Sequence, residues 1–214
     1  MKRQFALVVA LIAWFALVVQ LVVSIRMGIA RGGGWTFGLW MYIAFFTVTT
    51  NLIVAAASLL VAVAPESRAA RALGNVNSLT GIAACIILVA ITYNALLAGL
   101  WRPHGWQLVA DLALHDLVPI LFVAFWWIAV PRRSIVFRRA ALWAIYPVLY
   151  FAYAMIRGAM TDFYPYPFIN LDQLGFVAVS INAVGVLLAF FVILAILTAI
   201  KVSFRATGSR ETAA

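Results

Sequence analysis

The sequence is short of charge. Lys, Arg, Asp and Glu make up 10% of its 214 residues, where a soluble domain carries about a quarter. A chain so poor in charge cannot cover a water-facing surface, which excludes an ordinary soluble fold. Acids are scarcer still, six against fifteen basic residues. The resulting +9 does not mark a nucleic-acid binder, because the arginines stand singly or in pairs between apolar runs and build no basic domain. Cysteine occurs once, as Cys85 inside an apolar run, so no intrachain disulfide forms and the residue reads as small core filling. Histidine occurs twice, with no His-x-x-His or Glu-x-x-His spacing. That leaves too few ligands for a metal. No phosphate loop or dinucleotide fingerprint appears, and neither metal nor cofactor is expected.

What is abundant is apolar residues, at 67%. They fall into six runs, roughly 4–25, 38–64, 78–100, 108–130, 140–157 and 174–200, each near the ~20 residues that cross a bilayer. None alternates with period two, so helices rather than barrel strands are predicted. The fold class expected is all-α: a polytopic membrane protein, a six-transmembrane-helix bundle in a single domain over 1–205 with a short cytoplasmic tail at 206–214. The first run, behind Lys2 and Arg3, is too long for a signal-peptide core and lacks a small-x-small cleavage site. It reads as a retained helix.

Orientation follows from the basic residues. Eleven of the fifteen lie at the N-terminus, in the 65–77 and 131–139 loops and from Lys201 onward, whereas Arg26, Arg31, Arg102 and Arg157 lie on the other side. Both termini are therefore expected in the cytoplasm. Trp35, Trp40, Trp101 and Trp106 would form an outer interfacial belt, and Trp126, Trp127 and Trp143 an inner one.

Polar side chains inside such runs are costly and default to functional candidates. Thr47, Thr49, Thr50 and Asn51 lie in the second run, Tyr93 and Asn94 in the third, His115 and Asp116 in the fourth, and Ser180 and Asn182 in the sixth. Thr47 is about nine residues into its run and His115 about seven, both roughly 10–14 Å below the outer surface at about 1.5 Å per residue. Asn94 and Asn182 come out at similar depth. One outer-half pocket containing Thr47, Asn94, His115 and Asn182 is expected. Thr50, Asn51, Tyr93, Asp116 and Arg157 are further candidates for substrate or oxyanion contacts. Each has a plainer alternative. Threonines bond a carbonyl one turn back, asparagines tie helices together, and Asp116 can neutralise Arg157 or Arg102.

A hydroxyl becomes a good nucleophile when a base takes its proton, and histidine is the usual base. Thr47 with His115 is thus a candidate dyad, and Asn94 or Asn182 a candidate oxyanion donor. The segments Phe45-Phe46-Thr47-Val48-Thr49-Thr50-Asn51, His115-Asp116-Leu117-Val118-Pro119 and Tyr166-Pro167-Phe168-Ile169 occur in that order. With them the chain resembles the bacterial six-helix Pr-six-Pr family, itself distantly similar to the eukaryotic androgen-induced and androgen-dependent membrane proteins. Those are intramembrane threonine hydrolases of fatty acid esters of hydroxy fatty acids. The resemblance implies Thr47 as nucleophile, with Thr49 and Thr50 as alternatives, His115 as base, an amphiphilic ester drawn from membrane lipids as substrate, and a bacterial cytoplasmic membrane as location. A small-solute transporter or channel and a non-catalytic lipid-binding protein are the rival classes.

The basic asymmetry makes the topology testable. Reporters fused after residues 70 and 135 should read cytoplasmic and one after residue 105 external; the reverse pattern would invert the orientation.

Overall fold

The first apolar run buries one stripe, Ala6, Val9, Ala10, Ala13, Ala16 and Leu17. This is the spacing of a single helix face, and its small residues let neighbouring backbones approach closely. The stripe belongs to span 1, Lys2–Ala30, in a computed structural model that describes residues 1–203. The tail expected at 206–214 lies outside the described residues. Six helical spans among them are long and apolar enough to cross a membrane. They are Lys2–Ala30, Phe46–Val63, Val76–Leu100, Trp106–Ala129, Phe137–Thr161 and Leu171–Val202, called spans 1 to 6 below. No strand occurs among the described residues. The chain is an α-helical integral membrane protein.

The core runs between spans 1, 2, 3, 4 and 6. Ala55, Ala57, Ile82, Ala83, Ile86, Phe122, Phe125, Phe190 and Leu194 are all buried there. Trp126 joins them at 1% exposed, its indole N–H donating to Thr80 Oγ1 at 3.0 Å. It is a core residue rather than the interfacial anchor its neighbours made it look.

One end of the bundle collects cations. Arg3 donates to the Ala62 carbonyl from Nε and Nη2, at 3.1 and 2.9 Å. Lys201 donates to the Trp127 and Val130 carbonyls, both at 2.7 Å. Spans 2 and 4 end here, so these cations satisfy terminal carbonyls and sit at the negative ends of the helix dipoles.

The second apolar run is not one helix. Gly34–Tyr42 forms a separate nine-residue helix. Phe45 is extended (φ −95°, ψ 134°), and span 2 starts at Phe46. No glycine or proline marks this break. It is held from span 5, where Tyr150 Oη donates to the Ala44 carbonyl at 2.8 Å, Tyr153 Oη to Ile43 at 3.4 Å and Arg157 Nη2 to Trp40 at 2.9 Å. The break places Thr47 in the first turn of span 2 instead of nine residues along it.

Two other spans depart from regular geometry. Span 3 contains a π-turn at Tyr93–Leu97 and span 4 one at Ala113–Leu117. In span 4 the cause is legible: Pro119 has no N–H for the His115 carbonyl one turn earlier, and its ring crowds that carbonyl. Each widened turn adds a residue and rotates the rest of its helix by about 100° relative to a continuous α-helix.

The helix Gly34–Tyr42 lies against the end of span 1 through Gly38. A Cβ added there would meet the Ile25 Cα at 2.5 Å and the Ser24 carbonyl at 2.6 Å. Gly38→Val should therefore destabilise the protein by about 1–3 kcal/mol, the usual effect of overpacking, measured as a lowered unfolding midpoint in detergent.

Candidate active site

Span 2 opens with Phe46 and Thr47, whose backbone N–H groups belong to the unpaired first turn of a helix. Thr47 N–H finds the Tyr166 hydroxyl at 3.4 Å. Thr47 is 8% exposed, and its Oγ1 lies 3.2 Å from His115 Nε2. His115 comes from the π-turn of span 4. Its other ring nitrogen, Nδ1, lies 2.9 Å from the Asp111 carbonyl oxygen and 3.3 Å from Asp111 Oδ1. The carbonyl contact has hydrogen-bond geometry; Oδ1 makes a close polar contact off that axis. Both neighbours of Nδ1 are acceptors, so the proton belongs on Nδ1 and the Nε2 lone pair faces Thr47. In this arrangement the Thr47 hydroxyl donates to His115.

Asn51 ties the two segments together. It is fully buried, and its Nδ2 donates to the Thr47 carbonyl at 2.8 Å and to the Leu114 carbonyl, inside the widened turn of span 4, at 3.2 Å. Thr49 and Thr50 face another way, both bonding the Tyr146 hydroxyl, at 2.7 and 2.9 Å. Of the three threonines, Thr47 is the one paired with the histidine.

Thr47 also lines a cavity of about 260 Å³ between spans 2, 3, 5 and 6 and the 162–170 loop. Its walls are Phe46, Leu88, Val89, Leu97, Phe151, Phe168, Ile169 and Leu187, with Thr47, Tyr93, Tyr150 and Tyr166 among its few polar groups. Val148 of span 5 and Val184 of span 6 line it and are 49% and 57% exposed. The cavity thus reaches the outer surface of the bundle between those spans. Tyr166 packs on Phe45 and stacks on Phe168. Desolvation by burial pushes its phenol up, so the hydroxyl that accepts from the Thr47 N–H stays neutral.

The other sequence-derived candidates lie elsewhere. Asn94 is exposed and donates to Asp116 Oδ1 at 2.9 Å. Asn182 donates to the Phe168 carbonyl at 2.7 Å and anchors the loop before span 6. Of the four residues expected to converge, Thr47 alone lines the cavity; His115 meets it from behind, through its contact with Thr47. Arg157 does not pair with Asp116. Its guanidinium lies 3.3 Å from the centre of the Trp40 ring and donates to Tyr153 Oη at 3.0 Å. Asp111 and Tyr166 are site residues that the sequence reading passed over. The signal for Asp111 was present, since four residues before His115 on one helix is a facing position. Tyr166 carried only the motif in which it sits.

Among the described residues no three His, Cys, Asp or Glu side chains gather as a metal site requires. No protein-family profile, curated protein or solved structure matches this chain. What fold and site define is therefore a class: a six-span helical membrane protein with a histidine-paired threonine in the wall of an apolar cavity.

Asn51→Ala should lower stability by about 1–3 kcal/mol, because it leaves two buried carbonyls short of a donor. Unfolding in mixed detergent would measure this.

Proposed function

We propose that the chain is an intramembrane hydrolase of lipid esters, with Thr47 as nucleophile and His115 as general base. The observation that carries this reading is the 3.2 Å contact between His115 Nε2 and Thr47 Oγ1 at the edge of an apolar cavity. His115 takes the Thr47 proton as Oγ1 attacks the ester carbonyl. The Tyr166 hydroxyl and the Thr47 N–H, which donates to it at 3.4 Å, are the groups offered to the developing oxyanion. Protonated His115 then passes its proton to the departing alkoxide, leaving an acyl-Thr47. Water attacks the acyl group with His115 again as base, and the carboxylic acid is released. The apolar walls suit an acyl chain. The sequence resemblance favours a fatty acid ester of a hydroxy fatty acid as the amphiphilic substrate.

Thr47 opens span 2 and Arg3 binds the Ala62 carbonyl at its far end, which supports a cavity away from the basic end of the bundle. With the basic end in the cytoplasm, it would serve the outer leaflet of a bacterial cytoplasmic membrane. A transporter of charged solutes would need charged side chains along a path, and the lining holds no Asp, Glu, Lys, Arg or His.

Thr47→Ala and His115→Ala should each lower turnover of long-chain ester lipids by purified protein at least 10²-fold, with the fold retained. The double variant should lose little more, because members of one catalytic unit are not additive. Thr47→Ser should keep some activity. Undiminished turnover in both alanine variants would eliminate the dyad. No cleavage by the wild type, with retained lipid binding, would leave the non-catalytic lipid-binding class.

A further inference from the structure

Ester cleavage by Thr47 and His115 leaves a buried carboxylate and a tyrosine behind them unexplained. Asp111 is 6% exposed in an apolar bundle. The Tyr93 hydroxyl donates to its Oδ2 at 2.6 Å, and Trp101 Nε1 donates to the Tyr93 oxygen at 3.2 Å. His115 Nδ1 approaches the Asp111 carbonyl and Oδ1 from the other side. Donors therefore run towards Asp111 from both ends, from Trp101 through Tyr93 and from Thr47 through His115. Tyr93 also lies flat on the imidazole, with ring centres 3.6 Å apart and planes 10° apart.

We propose that Asp111 is the positioning residue for His115 and that Tyr93 locks the two together. This rests on the hydrolase reading for its catalytic consequence, though not for its geometry. The Asp111 main-chain carbonyl takes the Nδ1 proton, and the carboxylate beside it, which only accepts, presents no donor that would turn that proton to Nε2. When His115 takes the Thr47 proton the ring becomes cationic, and the negative Oδ1 at 3.3 Å stabilises that charge electrostatically where water is scarce. Tyr93 fixes the ring plane by stacking and the carboxylate by its hydrogen bond.

The lock makes a specific prediction about Asp111→Asn. The Tyr93 hydroxyl still needs an acceptor, so the new amide turns its oxygen to Tyr93 and its NH₂ to His115 Nδ1. The imidazole then shifts towards the Nε2–H tautomer, which cannot take a proton from Thr47. Histidine occurs twice in the chain, so His104→Gln leaves His115 as the single imidazole for ¹⁵N NMR in nanodiscs. In that background the parent should show Nδ1–H, and Asp111→Asn a raised Nε2–H population. Asp111→Asn should lose kcat by about 10²-fold or more with KM little changed. Adding Tyr93→Phe to Asp111→Asn frees the amide to turn back and should recover part of both signals, which loss of structure alone would not do. An unchanged tautomer with unchanged kcat in Asp111→Asn would overturn the proposal. Should that variant not fold, Tyr93→Phe alone removes one oxygen atom; it should lower kcat, and full activity would overturn the lock. If the wild type cleaves no ester, the hydrolase reading falls, while the tautomer measurement still decides the role of Asp111.

Discussion

In hydrocarbon a backbone carbonyl without a donor is expensive, and this limits where a membrane chain can leave its helix. The break at Ile43–Phe45 exists because span 5 meets that requirement. Tyr150, Tyr153 and Arg157 recur along one helical face, and each donates a hydrogen bond to a carbonyl near the break. Without these donors the segment from Gly34 would gain by continuing as one helix. With them, a fresh helix begins inside the bundle, and its first turn carries Thr47. A helix interior has no spare N–H groups, whereas a first turn has several. The polarity of the site therefore follows from the tyrosines opposite it.

The same economy governs span 4. Pro119 leaves a carbonyl free and widens the preceding turn, and Asn51 of span 2 donates to the Leu114 carbonyl inside it. Asn51 also holds the Thr47 carbonyl, so one amide sets the distance between the two backbones that bear the threonine and the histidine. A close Thr47–His115 contact is thus supported from the main chain as well as from the side chains.

Much of this could be read from the residues. Six apolar runs gave six spans, and Thr47 and His115 proved to be neighbours. The failures have physical causes. Ile43, Ala44 and Phe45 are all apolar, and nothing local announces a break whose partners lie about a hundred residues away on span 5. The π-turn at Tyr93–Leu97 has no proline to betray it, so residue spacing misplaced Asn94, which faces outward. Equal depth said nothing about direction around each helix axis, and Asn182 failed for the same reason. Trp126 looks interfacial from its place near a span end, but the hydroxyl of Thr80 gives its N–H a partner in the core.

Val148 and Val184 stand at the rim of the cavity and on the outside of the bundle. A ligand arriving there comes from the leaflet, already dissolved among acyl chains. For such a site the governing concentration is two-dimensional: the mole fraction of ligand in the surrounding lipid, not its molarity in water. Adding inert lipid at constant total ligand would slow encounter by surface dilution, whereas changing the aqueous volume would not.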